Sequence, residues 1–457
     1  MAAWKKVLAG DDYDYLKRLA ELVGIFAEKQ MFYKQMTHTP NGFERLLELL
    51  MFFTQHESRT IASYVASTWH NLSTHEVMKN IPQIQPFLGR LLNVCIQRIL
   101  EGDSKFISET SKEYDEVDFD DEGDCKACIE SNAQRFSTIL QFVAKKQPFE
   151  TFTVVDEHVR FLVFSVHQNV ERNDFGFLVP GTQVAAHLEN IQSVFDIVIK
   201  AIPNVLDPEF SDKGLLAKVS TFFTDFLNFH TQDPVVLRCV LSVLVCVTES
   251  VCDEASLLKC IEKIFTAVTF TMPDETDFSQ RRLILREDTR NLRMKAASAL
   301  VKLAASLPDA LIPLFDKFVP LIRSYVQTNV ILHFERVKLV EFLIVMIHGC
   351  TTRDFDTKSQ MFGLIVSSNV AEWEMLDDSP FSRGEALLSA LGIRKLASGD
   401  TLSELDVQVV EQWRHKINLE LRSWMMWMKR TPSNKNQPSL WSPYLARIVP
   451  KILSMIR

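Results

Sequence analysis

Four groups of residues in this chain are of types that could do chemistry. Cys125-Lys126-Ala127-Cys128 is a lone CxxC. Its thiolates could supply half of a zinc site, but zinc takes four ligands, and no second CxxC or His pair follows at usable spacing. His70 and His75 stand five apart across a helix break, a poor ligand pair better suited to a surface or capping role. No P-loop, GxGxxG, GxSxG or HExxH pattern occurs. Without a nucleophile, a base and a group to orient it, the sequence argues against an enzyme, and neither a cofactor nor a metal is expected.

The third group is acidic. Between Glu101 and Asp124 there are eleven acidic residues against Lys105 and Lys112, enough to account for the whole net charge of −8. Within it, Tyr114, Asp115, Glu116, Asp118, Phe119, Asp120 and Asp121 interleave aromatic rings with carboxylates. That mixture suits docking to a basic partner, with Tyr114 and Phe119 as anchors. The alternative is a solvated loop whose aromatics pin it to the rest of the molecule. Mutual repulsion and little to bury predict a poorly ordered loop over 102–123, in an insertion taken as 102–127. The fourth group is basic. Arg282, Arg286, Arg290 and Arg293 fall within an arc of about 80° on an ideal helix, beside Leu285, Leu292, Ala296, Leu300 and Leu303. Guanidinium forks suit phosphate, so the stripe is a candidate RNA or cargo surface. The competing reading is a structural Arg–Asp ladder between neighbouring repeats, for which Glu287 and Asp288 are suggestive.

The elements that must carry these groups are helices. The chain has 457 residues, 47% hydrophobic, and apolar positions recur at helical rather than alternating spacing. Pro203-Asn204, Asp207-Pro208, Asp233-Pro234 and Ser379-Pro380 punctuate the runs. Phe152–Val155 and Val268–Thr271 are the only β-like stretches, and each can be a helix end. Only 14 glycines are present, few for the phosphate loops of parallel α/β enzymes. About seventeen helices with short gaps predict an all-α HEAT-repeat α-solenoid, a superhelical stack of antiparallel hairpins with a period of about 40–47 residues. The repeat from Leu283 to Gln327 is the clearest, with Pro308, Pro313 and Pro320 in its turn and second helix. Its helix Leu283–Ser306 is expected to be of the second, concave-lining type. The organisation expected is helical repeats over 1–101 and 128–430 around the acidic insertion, then a polar loop and terminal helix over 431–457. Trp413, Trp424 and Trp427 crowd one predicted helix, Glu404–Lys429, as a core stripe or a binding groove. The eight cysteines sit mostly in apolar helical patterns and suit a reducing compartment. No secretory signal is read at Met1–Leu8, and the most apolar runs are too short for a membrane span.

Three stretches taken in order carry a family likeness. They are Glu113-Tyr114…Val117-Asp118-Phe119-Asp120-Asp121-Glu122, Asn228-Phe229-His230-Thr231-Gln232-Asp233-Pro234, and Arg290-Asn291-Leu292-Arg293 followed by Pro308 and Phe315-Asp316. Together they resemble the middle of the exportin five family, nuclear-export karyopherins of the importin-β superfamily, clearest over 113–345. The resemblance implies a HEAT-repeat receptor that shuttles between nucleus and cytoplasm. Its partners would be Ran in its GTP form, nuclear pore proteins, and double-stranded or hairpin RNA such as microRNA precursors. A full exportin is more than twice this long, so the chain reads as a central portion. A generic HEAT scaffold without RNA cargo, such as a phosphatase regulatory subunit, is the alternative.

Overall fold

Polar residues that accept the free N–H groups of a first turn start many of these helices. Ser58 accepts from the amide of Ile61, Asp121 from Asp124, and Asp354 from Thr357. Asp233 caps the helix that follows it by accepting from Val235 and Val236, and its second oxygen takes the amide of Leu178. The computed structural model describes residues 10–31, 41–101, 108–164, 171–202, 213–251, 253–272, 274–277, 282–283, 285–375, 388, 419–432 and 438–454. Two compact units divide the chain, Met1–Leu257 and Leu258–Arg457.

In the first unit the helices are α1 (Asp11–Phe26), α2 (Phe43–Thr54), α3 (Arg59–Thr74), α4 (Leu88–Leu100), α5 (Glu109–Asp118), α6 (Glu122–Lys146), α7 (Pro148–Phe164), α8 (Gln183–Ala201), α9 (Lys213–Asn228) and α10 (Pro234–Val251). They form two layers. One layer packs α1, α3, α6, α8 and α10 side by side in that order; in the other α2 packs on α4 and α7 on α9. Within a layer neighbours run parallel: Tyr13 meets Ser58 near the starts of α1 and α3, and Thr68 meets Gly24 near their ends. Successive helices run antiparallel, so Arg59 at the start of α3 donates to the carbonyl of Glu101, just past the end of α4. Phe152, Phe195, Phe222 and Phe226, all fully buried, join α7, α8 and α9 with ring centroids 4.3–6.2 Å apart. The apolar helix Pro234–Val251 is long enough to cross a membrane by length and composition, and its side chains are mostly buried in the unit.

The second unit repeats the plan. Its helices after α11 (Glu254–Val268) are α12 (Glu287–Ser306), α13 (Pro308–Leu311), α14 (Phe315–Gln327), α15 (His333–Gly349), α16 (Phe355–Glu374), α17 (residues 419–430) and α18 (Ser442–Ser454). Arg293 meets Glu335, and Trp427 meets the carbonyl of Val337, so α12, α15 and α17 lie parallel in one layer. Arg323 reaches the carbonyl of Leu364, and Arg447 pairs with Glu374, aligning α14, α16 and α18 in the other. Each unit is a two-layer stack of antiparallel hairpins, the all-α HEAT-type arrangement read from the sequence. Phe152–Val155 lies inside α7, and α11 ends at Val268. Among the described residues, the strands are β1 (Thr276–Asp277) and β2 (Arg282–Leu283), paired antiparallel.

Two boundaries differ from the sequence reading. The stretch 102–127 is not one loop: α5 covers Glu109–Asp118, and α6 begins at Glu122. The helix placed at Leu283–Ser306 starts at Glu287. Residues 404–418 of the Trp-rich helix, including Trp413, lie outside the described residues, as does most of 383–391 and of the polar loop 431–438.

One glycine sets the α1–α3 distance. A Cβ on Gly24 would stand 2.6 Å from the carbonyl oxygen of Tyr64, which is backbone and has nowhere to move. Gly24→Ala is therefore expected to destabilise the first unit by about 1–3 kcal/mol, despite the better helix propensity of Ala. Chemical denaturation followed by far-UV circular dichroism checks this; an unchanged or raised midpoint would contradict the packing.

Candidate partner-binding surfaces

The acidic segment is docked on its own molecule. Ser108 caps α5 by accepting from the amide of Ser111. Along one face stand Ser111, Tyr114, Asp115 and Asp118, at helical spacing i, i+3, i+4 and i+7. Ser111 donates to the carbonyl of Glu57. The Tyr114 ring is fully buried, 4.8 Å from Tyr13 and 5.4 Å from His56. Asp118 accepts from the Tyr13 hydroxyl at 2.5 Å and from Lys17 Nζ at 3.1 Å. Asp115 stands 3.7 Å from Arg59 Nη1. Burial raises the Asp115 carboxyl, and the Arg59 charge only partly offsets it. Tyr13 is likewise pushed well above the usual phenol range, first by burial and then by its bond to Asp118.

So the residues proposed for partner docking divide. Tyr114, Asp115 and Asp118 are spent inside the molecule, and Phe119 is half-buried. Glu116, Asp120 and Asp121 are exposed, although Asp121 also caps α6. The sequence reading missed Tyr13, Lys17, Ser58 and Arg59. Nothing in their local sequence ties them to α5, because they face it across some fifty to a hundred residues of chain.

His56 makes this dock sensitive to acid. Its Nδ1 accepts from the amide of Ser58, so the ring must be unprotonated there. Burial, then the Arg98 charge, lowers its pKa. A depressed folded-state pKa stabilises the fold above the unfolded value of about 6.5, and the contribution disappears as pH falls through the folded value. Asp115, shifted upward, works in the opposite sense. Amide exchange in α5, corrected for the intrinsic rate, is expected to lose protection between pH 7.5 and 5.5. His56→Asn, whose carbonyl can accept the same bond, should lose less; equal losses would remove His56 from the account.

The arginine stripe is also taken apart. Arg282 lies in β2, opposite Asp277. Arg286 is the residue before α12; its guanidinium pairs with Asp274, and its amide donates to buried Glu275 at 2.7 Å. Arg290 is exposed and reaches the carbonyl of Leu285 at 3.4 Å. Arg293 has no exposed surface. It pairs with Glu335 at 3.3 Å and donates to the carbonyl of Val330 at 2.7 Å. Four arginines on one outward arc are thus replaced by one on a strand, one at a helix start, one exposed and one in the core.

The remaining groups have local roles. Cys125 and Cys128 sit in the first turns of α6, half-buried, with their thiols raised by burial. Among the described residues, no group of three or more His, Cys, Asp or Glu is arranged to hold a metal. His75 accepts from the amides of Val77 and Met78, as a cap.

The chain is similar to known proteins in sequence. The chain is 22% identical to Exportin-5 of Homo sapiens over 352 residues, which is 73% of this chain and 28% of that one. With Exportin-5 of Mus musculus it is 24% identical over 351 residues, again 73% of this chain and 28% of the relative. The chain thus spans under a third of the length of these relatives. It is also similar to the crystal structure of Kap121p bound to Pho4p, with a TM-score of 0.46 and 13% identity, over 96% of this chain and 38% of that one. The family model for Exportin-5 matches residues 10–457, from the residue before α1 to the last residue, so the chain belongs to the Exportin-5 family.

Proposed function

We propose that this chain is part of the cargo-carrying wall of a karyopherin-type nuclear export receptor. It would act by binding macromolecules rather than by catalysis, and would shuttle between nucleus and cytoplasm. The partners proposed are Ran in its GTP form, nuclear pore proteins, and double-stranded or hairpin RNA such as microRNA precursors. The observation that carries the reading is the match to the Exportin-5 family across residues 10–457, on a chain built of stacked helical hairpins. Duplex RNA suits such a surface because it is recognised through phosphates and shape rather than through its narrow major groove. Arg282, Arg286 and Arg290 are the proposed phosphate-binding residues. Arg293 would join them only by leaving Glu335, which its burial opposes. The exposed carboxylates Glu116, Asp120 and Asp121 are the proposed docking points for a basic partner.

The test is binding of a labelled RNA hairpin to the chain across a salt series, with and without GTP-loaded Ran. Removing one arginine that neutralises a phosphate should lower the salt slope by about 0.7–0.9 units, whatever the RNA sequence. Arg286→Gln and Arg290→Gln together are expected to lower it by about twice that. An unchanged slope in the folded variant would remove these residues from the interface. No RNA binding under any condition would favour a protein-interaction scaffold.

A further inference from the structure

The seat of α5 is built by α1 and α3 without any help from α5. Gly24 brings the two helices together against Tyr64, Thr68 donates to the carbonyl of Gly24, and Ser67 donates to Glu28 at 2.5 Å. At the other end of this pair the first turns leave a groove. Tyr13 forms its floor, and Lys17, Ser58 and Arg59 its polar rim. What α5 places there is one aromatic ring and three polar side chains, with no aliphatic residue. Its Val117 points away and is 66% exposed, and Lys112, Glu113 and Glu116 are exposed too. A helix of ten residues made mostly of charged side chains is marginal in water by itself, so α5 is helical because it is docked.

The dock is also imperfect. Arg59 is 95% buried, yet its Nη1 lies 3.7 Å from Asp115, an ion pair without a hydrogen bond. Arg59 Nη2 donates to the carbonyl of Glu101, but burying a carboxylate that Nη1 does not reach costs free energy, and an occupant with a longer acid would recover it. Such an occupant needs a hydroxyl, a tyrosine and two acids at the spacing of Ser111, Tyr114, Asp115 and Asp118. We propose that the α1–α3 groove is a binding site for acidic, tyrosine-containing helical peptides of partner proteins, and that α5 is its resident, displaceable occupant. This stands apart from the export reading and is tested without Ran or RNA.

The probe is a fluorescein-labelled peptide of sequence 108–121, stapled between positions 113 and 117, which face solvent. The groove is emptied in the full chain by Tyr114→Ala with Asp118→Ala. If α5 occupies the groove about nine-tenths of the time, the emptied chain should bind the peptide about tenfold more tightly than the wild type. Lys17→Ala in the emptied chain should weaken binding. A peptide with Glu in place of Asp115 should bind more tightly still. Absence of saturable binding to the emptied chain, with its circular dichroism intact, overturns the proposal. If the double variant does not fold, exchange in the wild type decides. Excess peptide should speed amide exchange in α5 alone, and unchanged protection of α5 overturns the proposal.

Discussion

Arg293→Ala is expected to lower the stability of the second unit by about 3–5 kcal/mol, the cost of breaking a buried ion pair by removing one partner. The arginine has no exposed surface and Glu335 is 1% exposed. Truncation leaves the Glu335 carboxylate in the core, where the amide of Leu332 donates to it at 2.7 Å. It also strips the Val330 carbonyl of its donor, loosening the turn from α14 into α15. Burial lowers the Arg293 pKa, but a guanidinium starts so high that it stays charged at any working pH. Charge loss is therefore no escape. Replacing both partners, Arg293→Met with Glu335→Leu, should recover most of the loss, because two apolar groups need no compensation. The measurement is a urea midpoint by tryptophan fluorescence, since five of the seven tryptophans lie beyond residue 258. A double variant as unstable as the single one would mean that the pair holds position by shape rather than charge.

This pair also shows what the sequence could and could not yield. Helices were legible because apolar side chains repeat every three to four residues, and the caps Ser58, Asp233 and Asp354 follow standard preferences. The burial of Arg293 was legible too, had its angle been compared with its neighbours. On an ideal helix it projects within about 40° of Ala297, Leu300 and Ala304, which are all buried. Reading it as part of an outward stripe followed charge and ignored that phase. The start of α12 was misplaced for a different reason: Arg282 and Leu283 pair with Asp277 and Thr276, a pairing that local periodicity does not encode.

The acidic segment failed through composition. Eleven carboxylates predict a solvated loop, and the i, i+3, i+4, i+7 face of Ser111, Tyr114, Asp115 and Asp118 is invisible to any search for apolar periodicity. The cap at Ser108 was the one local signal of a helix. What seats that helix is a tyrosine, a lysine and an arginine from elsewhere in the chain, so its order is a tertiary fact. The alternative weighed for the aromatics, that they pin the segment to the rest of the molecule, describes Tyr114 well.

Trp424→Ala is expected to cost the second unit about 3–5 kcal/mol, the usual range for deleting a large aromatic from a core. Trp424 is 2% exposed and sits edge-on to three others: Trp427 at 5.2 Å, Trp441 at 5.9 Å and Trp373 at 6.3 Å. These rings come from α16, α17 and the turn into α18, so the cluster ties the last two hairpins together. Replacement by Phe separates packing from hydrogen bonding. Among the described residues the Trp424 indole N–H has no acceptor, so Trp424→Phe removes an unpaired buried donor and should lose only roughly 1–2 kcal/mol. Trp427 donates to the carbonyl of Val337 at 3.1 Å, so Trp427→Phe should cost about 1 kcal/mol more than Trp424→Phe. Urea midpoints of the three variants give this order directly. If the stripe were instead a groove for an outside ligand, Trp424→Ala would leave the midpoint nearly unchanged. The burial of all four rings predicts the opposite.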